Sequence, residues 1–140
     1  MIITTEKYEK LIRDCPVAPP EIGGVLGGEN GVINVFALDI PAETESINRY
    51  RPSTEKLNKI ISEWTEKDIE FYGIFHTHFP YGYSLSDKDE QYIRKIMKAM
   101  PMHIASLFFP IIVPGDGMTA YKALRETEVI RIEPDTIKLI

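Results

Sequence analysis

The stretch HTHFPYGYSLSDKD, from His76 to Asp89, constrains this chain more than any other part of its sequence. The residues directly before it, Phe71 to Phe75, are aromatic, β-branched or glycine and include no proline, which predicts a buried strand. If this strand continues past the first histidine, His76 and His78 point to one face, because side chains alternate along a strand. Asp89 would then bring a third ligand from the next element. Three protein ligands with one open position are typical of a catalytic zinc site.

Each piece of this stretch also has a simpler explanation. An isolated His-x-His pair rarely binds anything, and Ser86 followed by Asp89 resembles a capping box at the start of a helix. The two roles of the serine do not exclude each other, because a helix start can place its hydroxyl beside a metal ion. The full spacing, H-x-H-x(7)-S-x(2)-D, is what favours a metal site.

The complete string resembles the JAMM motif of the MPN-plus (JAB-type) zinc metallopeptidases, whose eukaryotic members cleave ubiquitin and its relatives. In that family an upstream glutamate within a glycine-rich strand completes the site. Here EIGGVLGG, from Glu21 to Gly28, has this form and begins 55 residues before His76. The resemblance extends over roughly residues 20 to 125 and indicates a compact prokaryotic-type member.

The expected site follows from the donor types and from the resemblance. Zinc suits two imidazoles and one carboxylate, so His76, His78 and Asp89 are the expected ligands of one Zn²⁺ per chain, with water in the fourth position. The resemblance implies that Glu21 is the general base and that Ser86 donates a hydrogen bond to the developing oxyanion. From position alone, Glu21 would be a solvated carboxylate and Ser86 a helix N-cap.

Two positions depart from the pattern of the family. Phe79 follows the second histidine where a proline is common, and Leu85 precedes the serine where another proline is common. The ligand spacing is intact, so these departures bear on the substrate rather than on the metal. Phe79, Tyr81 and Tyr83 either line a groove for an extended peptide or pack the loop down, and the sequence leaves both open.

Composition narrows the class of protein. With 140 residues and 44% hydrophobic content, the chain suits a single globular domain over residues 1–140. The net charge of −5 and the mixed charge pattern argue against a nucleic-acid partner. We expect no membrane partner, because no apolar run reaches the length of a span. The single cysteine, Cys15, lies on an apolar helical stripe, which predicts a core residue and favours a reducing, cytoplasmic location.

Hydrophobic periodicity and turn residues predict an α/β fold with a mixed β-sheet flanked by helices. The resemblance adds that this is the MPN/JAB-like fold, which is similar to that of cytidine deaminases. Proline-rich, polar residues 41–52 are expected to form an irregular loop, and a turn is expected over residues 27–31. The predicted elements, in chain order, are a helix at 5–15, strands at 21–28 and 32–40, a helix capped by Ser53 or Thr54 and containing Trp64 in the core, a strand through 71–77, a helix at 87–100, strands at 104–109 and 118–124, and short strands at 129–132 and 136–140.

The leading functional prediction is a zinc-dependent metallopeptidase or isopeptidase, which the resemblance implies. Its expected partner is a peptide or a ubiquitin-like protein, cleaved at the C-terminus, while the oligomeric state stays open. One alternative is a non-catalytic MPN scaffold, although such scaffolds usually lack the ligands; another is a RadC-like protein of unsettled role. A zinc nucleoside deaminase is excluded, because its P-C-x-x-C motif needs more than the single Cys15. His103 lies outside the motif, and we predict that it does not bind the metal ion.

Overall fold

The computed structural model describes residues 1–40, 50, 52–79 and 82–140. Three helices lie within them: α1 (Thr5–Asp14), α2 (Thr54–Glu66) and α3 (Asp87–Ala99). The strands, in chain order, are β1 (Ile2–Ile3), β2 (Gly23–Glu29), β3 (Val32–Asp39), β4 (Glu70–Thr77), β5 (Ser106–Phe108), β6 (Ile111–Val113), β7 (Gly117–Glu126), β8 (Val129–Asp135) and β9 (Lys138–Leu139). An irregular loop was predicted over residues 41–52. Of these residues, the structure describes only Tyr50 and Pro52.

The described strands form one sheet of nine strands, and this sheet is mixed, as predicted. Its centre is β4, which pairs antiparallel with β2 on one side and parallel with β5 and β6 on the other. Beyond these neighbours, β7 and β8 extend the sheet in one direction, and β3, β1 and β9 extend it in the other. The end of β4 is therefore held between strands on both sides.

Apolar side chains cover both faces of this sheet and form two cores. One core contains the inward faces of α2 and α3, with Trp64 and Met97 among its buried residues. The other contains Leu11 and Cys15 from α1 and the turn after it. Burial raises the pKa of the Cys15 thiol to about 12, so this cysteine is the core residue that the sequence predicted.

Local sequence signals explain where the helices begin. Thr4 precedes α1, and its hydroxyl accepts a hydrogen bond from the backbone N–H of Lys7. Ser53 occupies the corresponding position before α2, as predicted, but its side chain makes no capping hydrogen bond. Instead the backbone N–H of Ser53 donates to the carboxylate of Asp39 at 2.9 Å. A side chain from β3 thus holds the start of α2 against the sheet.

Three features of the strands differ most from the predictions. The turn between β2 and β3 is only Asn30-Gly31, with φ of 52° and 78°, so the glycines before it belong to β2. The strand predicted over 104–109 is shortened to β5, and a further strand that was not predicted, β6, follows Pro110, which has no N–H for a ladder hydrogen bond. The two-residue β1 was missed, because so short a segment shows no periodicity.

None of the helices that the structure describes is both long enough and apolar enough to cross a membrane.

Candidate metal centre

His76 and His78 lie at the C-terminal end of the central strand. Thr77 is the last residue of β4, and its backbone N–H donates to the carbonyl of Ile22 at 2.8 Å. The backbone N–H of His78 donates to the carbonyl of Ile112 at 3.0 Å, so strand-like pairing continues one residue further. The two imidazoles share one face, as predicted, and their Nε2 atoms lie 2.9 Å apart.

Asp89 reaches the histidines from the first turn of α3. Ser86 and Asp89 form the predicted capping box, in which Asp89 Oδ2 accepts from the backbone N–H of Ser86 at 2.9 Å. The same oxygen lies 3.1 Å from His78 Nε2, and Oδ1 lies 3.4 Å from His76 Nε2. A hydrogen bond that begins a helix therefore also aims this carboxylate at the two rings.

A backbone carbonyl determines how His78 presents its nitrogens. Nδ1 of His78 lies 3.2 Å from the carbonyl oxygen of Gly82. A carbonyl oxygen only accepts hydrogen bonds, so Nδ1 carries the proton and donates it. In the neutral ring, this tautomer leaves the lone pair of Nε2 free to bind a metal ion, a common arrangement in the outer shell of metal-bound histidines.

The carboxylate and the imidazoles alter each other's protonation. Burial by itself would raise the pKa of Asp89, but hydrogen bonds from His76 and His78 hold that pKa well below its ordinary value. Burial likewise opposes the charged form of His78, yet the hydrogen bond and the charge of Asp89, with the charge of Glu21, raise its pKa overall. The Asp89 side chain is therefore an ionised carboxylate across the physiological range.

The donor atoms fit a zinc ion. Zinc binds imidazole nitrogen and carboxylate oxygen at about 2.0–2.2 Å, which places tetrahedral ligand atoms about 3.3 Å from one another. The Nε2 atoms of His76 and His78 lie 2.9 Å apart, which agrees with this spacing to within about 0.4 Å. The two Asp89 oxygens face different rings, with Oδ2 3.1 Å from His78 Nε2 and Oδ1 3.4 Å from His76 Nε2. Among the described residues, these three form the one group of His, Cys, Asp or Glu side chains that could hold a metal ion.

Glu21 lies beside this group without belonging to it. Gly23 pairs with His76 in the antiparallel register of β2 and β4, so the same register carried back two residues puts Glu21 opposite His78. Opposed residues of an antiparallel pair share a face, and the charge of Glu21 acts on the His78 ring. Glu21 Oε2 accepts a hydrogen bond from the backbone N–H of Tyr50 at 3.1 Å. Its role as general base stays a prediction.

Ser86 is an exposed residue that caps α3, as the simpler explanation required. Its hydroxyl oxygen accepts from the backbone N–H of Asp89 at 3.1 Å. Since a hydroxyl can accept and donate at once, its proton is still available to a substrate. The predicted hydrogen bond from Ser86 to an oxyanion is untested by this geometry.

The aromatic residues between the ligands do not all have the same surroundings. The Tyr83 hydroxyl donates to Asp116, and the Tyr121 hydroxyl donates to the Tyr83 carbonyl at 2.7 Å. Tyr83 therefore packs its part of the loop down onto the protein, which answers for this residue the question that the sequence left open. Phe79 is partly buried, and Tyr81 lies outside the described residues.

Two residues near the site were missed by the sequence analysis. Asp39 is 1% exposed, and its carboxylate accepts from the Tyr50 hydroxyl at 2.7 Å. Tyr50 falls in the segment that was predicted to be an irregular loop. No local pattern marks either residue, because their contact joins positions 11 residues apart that only the tertiary structure brings together.

Comparison with known proteins gives a fold. No protein-family model matches the chain, and no curated protein matches it in sequence. A protein of Desulfitobacterium hafniense, solved in solution, is 17% identical with a TM-score of 0.66, covering 100% of this chain and 93% of its own. A JAB1/MPN domain protein from Archaeoglobus fulgidus is 12% identical with a TM-score of 0.55, covering 100% and 99%. A Salinibacter ruber protein is 15% identical with a TM-score of 0.54, covering 98% and 90%.

The fold and the candidate metal site are supported by separate observations. The mixed sheet with its flanking helices is a fold shared with a JAB1/MPN domain protein, as the sequence analysis expected. On that fold, His76, His78 and Asp89 make a group that could hold a metal ion. Sequence identities this low carry the fold and not the activity.

Proposed function

We propose that this protein is a zinc-dependent metallopeptidase or isopeptidase that hydrolyses a peptide or isopeptide bond. The observation that carries the proposal is the convergence of three donor groups from two separate elements, all within 4.8 Å of one another. Two imidazoles and one carboxylate leave one position of a tetrahedral zinc open, which is the arrangement of catalytic rather than structural sites. The JAB1/MPN type of fold supports the same class.

His76, His78 and Asp89 would hold the zinc ion, which supplies a Lewis acid and lowers the pKa of a bound water toward about 7. Glu21 is the base beside these ligands. Its carboxylate accepts a proton from the attacking water and then delivers that proton to the amine that leaves, a role worth roughly 10²- to 10⁴-fold in rate. Ser86 donates its free hydroxyl proton toward the negative charge that develops on the carbonyl oxygen of the substrate.

The proposed substrate is a peptide chain, with the C-terminus of a ubiquitin-like protein as the first candidate. Support for this choice comes from the resemblance of the motif to enzymes that cleave ubiquitin and its relatives. A cytoplasmic location belongs to the same proposal and rests on the single buried Cys15.

Zinc-loaded protein incubated with ubiquitin-like proteins that carry C-terminal extensions tests this proposal. We expect mass spectrometry to detect a cleaved extension and a fresh C-terminus, and we expect the His76→Ala variant to produce neither. A chelator should stop the reaction, and added zinc should restore it. If the purified protein binds no zinc, the peptidase assignment is wrong and the chain is a scaffold of the same fold.

A further inference from the structure

A buried carboxylate lies on β3, and one strand, β2, separates it from the strand that carries His76. Asp39 ends β3, and its Oδ2 accepts hydrogen bonds from the Tyr50 hydroxyl at 2.7 Å and from the Ser53 backbone N–H at 2.9 Å. The side chain of Lys56 lies 3.8 Å from the other oxygen. A carboxylate that is 1% exposed is costly to bury unless it is fully paired, and these three contacts pair it.

Tyr50 joins this carboxylate to the candidate base. Its hydroxyl binds Asp39, while its backbone N–H donates to Glu21 Oε2 at 3.1 Å. Burial raises the pKa of the Tyr50 hydroxyl, and Asp39 raises it further, so the hydroxyl stays protonated and donates. Asp39 thus fixes the hydroxyl of Tyr50, and the backbone N–H of Tyr50 fixes the carboxylate of Glu21.

The sheet provides a place for the ring of Tyr50. Asp39, Gly23 and His76 lie in one row across β3, β2 and β4, because Gly23 pairs with both of the others. A Cβ at Gly23 would lie 2.3 Å from Cε2 of Tyr50, so the ring occupies the space that this glycine leaves. The aromatic ring therefore sits between the buried carboxylate and the first histidine.

We propose that Asp39 and Tyr50 are positioning residues that hold the Glu21 carboxylate beside the metal centre. This inference rests on the proposed function, since it assigns a purpose to the orientation of its base. Tyr50 N–H is the one hydrogen-bond donor to Glu21 among the described residues, and it engages Oε2. Because this hydrogen bond fixes the orientation of the carboxylate, it also fixes the direction of the other oxygen, which takes up the proton of the attacking water. Displacing a catalytic group by about 1 Å can cost about 10²-fold in rate.

Tyr50→Phe tests the proposal because it removes only the hydroxyl that Asp39 holds. We expect faster hydrogen exchange at the amide of residue 50, by about 10-fold or more, with zinc content unchanged. On a confirmed substrate, kcat should fall by about 10-fold or more while KM stays within about twofold. A structural role alone would lower the unfolding temperature without this split between kcat and KM.

Tyr92→Phe is the matched control. Tyr92 also buries its hydroxyl, and among the described residues that hydroxyl has no hydrogen-bond partner. We expect this variant to keep wild-type exchange at amide 50 and wild-type turnover. Equal losses in Tyr50→Phe and Tyr92→Phe would show a general packing effect and overturn the proposal.

A second pair of variants tests the contact from the other side without altering Tyr50. Glu21→Gln keeps an acceptor oxygen, so amide 50 should stay protected, whereas Glu21→Ala should expose it. Equal protection in Glu21→Ala and Glu21→Gln would overturn the proposal, as would unchanged kcat in Tyr50→Phe. If the wild-type protein cleaves no peptide, the proposed function fails, and the exchange measurements still decide whether Tyr50 holds Glu21.

Discussion

The Nε2 atoms of His76 and His78 lie 2.9 Å apart, although the first histidine is inside β4 and the second follows its last residue. Backbone hydrogen bonds to the flanking strands extend the strand-like geometry over His78. The pair is therefore built by the sheet before any metal binds. Such preorganisation suits an ion that binds two imidazoles side by side.

Zinc binding is the first expected outcome. Purified protein should contain about one zinc per chain, because the described residues include one group of three side chains that could hold a metal ion. His76→Ala and His78→Ala should each lose the metal, as measured by elemental mass spectrometry after dialysis. The control is His103→Ala, which removes an exposed histidine outside the site and should leave the zinc content unchanged. A full complement of zinc in the His76→Ala, His78→Ala double variant would contradict the ligand assignment.

The stability of the metal-free protein should depend on pH through the Asp89–His78 pair. The lowered pKa of Asp89 contributes stability that is present above its ordinary value of 3.8 and is lost as pH falls through the lowered value. The raised pKa of His78 contributes stability that is present below 6.5 and is lost as pH rises through the raised value. Asp89→Asn should therefore destabilise the metal-free protein more at about pH 5.5 than at about pH 9.

Zinc should reverse this trend, because protons compete with the metal for His78. Denaturant titrations at both pH values, with and without zinc, measure the effect. A larger Asp89→Asn effect at the higher pH in metal-free protein would refute the pairing, and a variant outside the site, His103→Ala, serves as the reference.

Replacement of the base should separate catalysis from metal binding. Glu21→Gln keeps size and hydrogen bonding but does not accept a proton, so we expect retained zinc and fold with hydrolysis reduced by at least ~10²-fold. Glu29→Gln, at the end of β2 that lies away from His76, is the matched control and should keep full activity. Loss of zinc in Glu21→Gln would instead make Glu21 a ligand. Unchanged turnover on a confirmed substrate would place the base elsewhere.

Two substitutions at Ser86 should distinguish its cap from its proposed catalytic hydrogen bond. Ser86→Ala removes both and should lower the free energy of unfolding by about 1 kcal/mol. Ser86→Gly should cost only a few tenths of a kcal/mol, because glycine is tolerated at an N-cap. Both variants should keep zinc and lose hydrolysis by a similar factor, measured on a confirmed substrate. Full activity in Ser86→Gly would show that the serine is only a cap.

Arg125 should stabilise the C-terminal end of the helix that carries Asp89. Its guanidinium donates to the carbonyls of Met97 and Met100, at 2.5 and 3.2 Å, where α3 ends. Arg125→Met should lower the free energy of unfolding by about 1–3 kcal/mol, as measured by denaturant titration. Arg131→Met is the matched control: its ion pairs are half exposed, so it should cost under about 1 kcal/mol. Equal effects would refute the capping role.

Several parts of the fold were predictable from sequence because they depend on short-range rules. The amphipathic spacing in α1 and the buried residues of α3 follow from 3.6-residue periodicity, and Asn30-Gly31 from turn chemistry. Errors occurred where pairing with distant strands decides the outcome. β1 exists because it pairs with β3 and β9, and the missed strand β6 exists because it pairs with β4 and β7.

The sequence by itself determined the three members of the candidate metal group. Alternation along a strand puts His76 and His78 on one face, and a capping box orients Asp89, and both rules operate over a few residues. Only the tertiary structure decided where Glu21 lies and what holds it. The register of β2 against β4 and the contact of Tyr50 with Asp39 join residues far apart in the chain. Such contacts depend on the packing of the whole sheet, which no local pattern encodes.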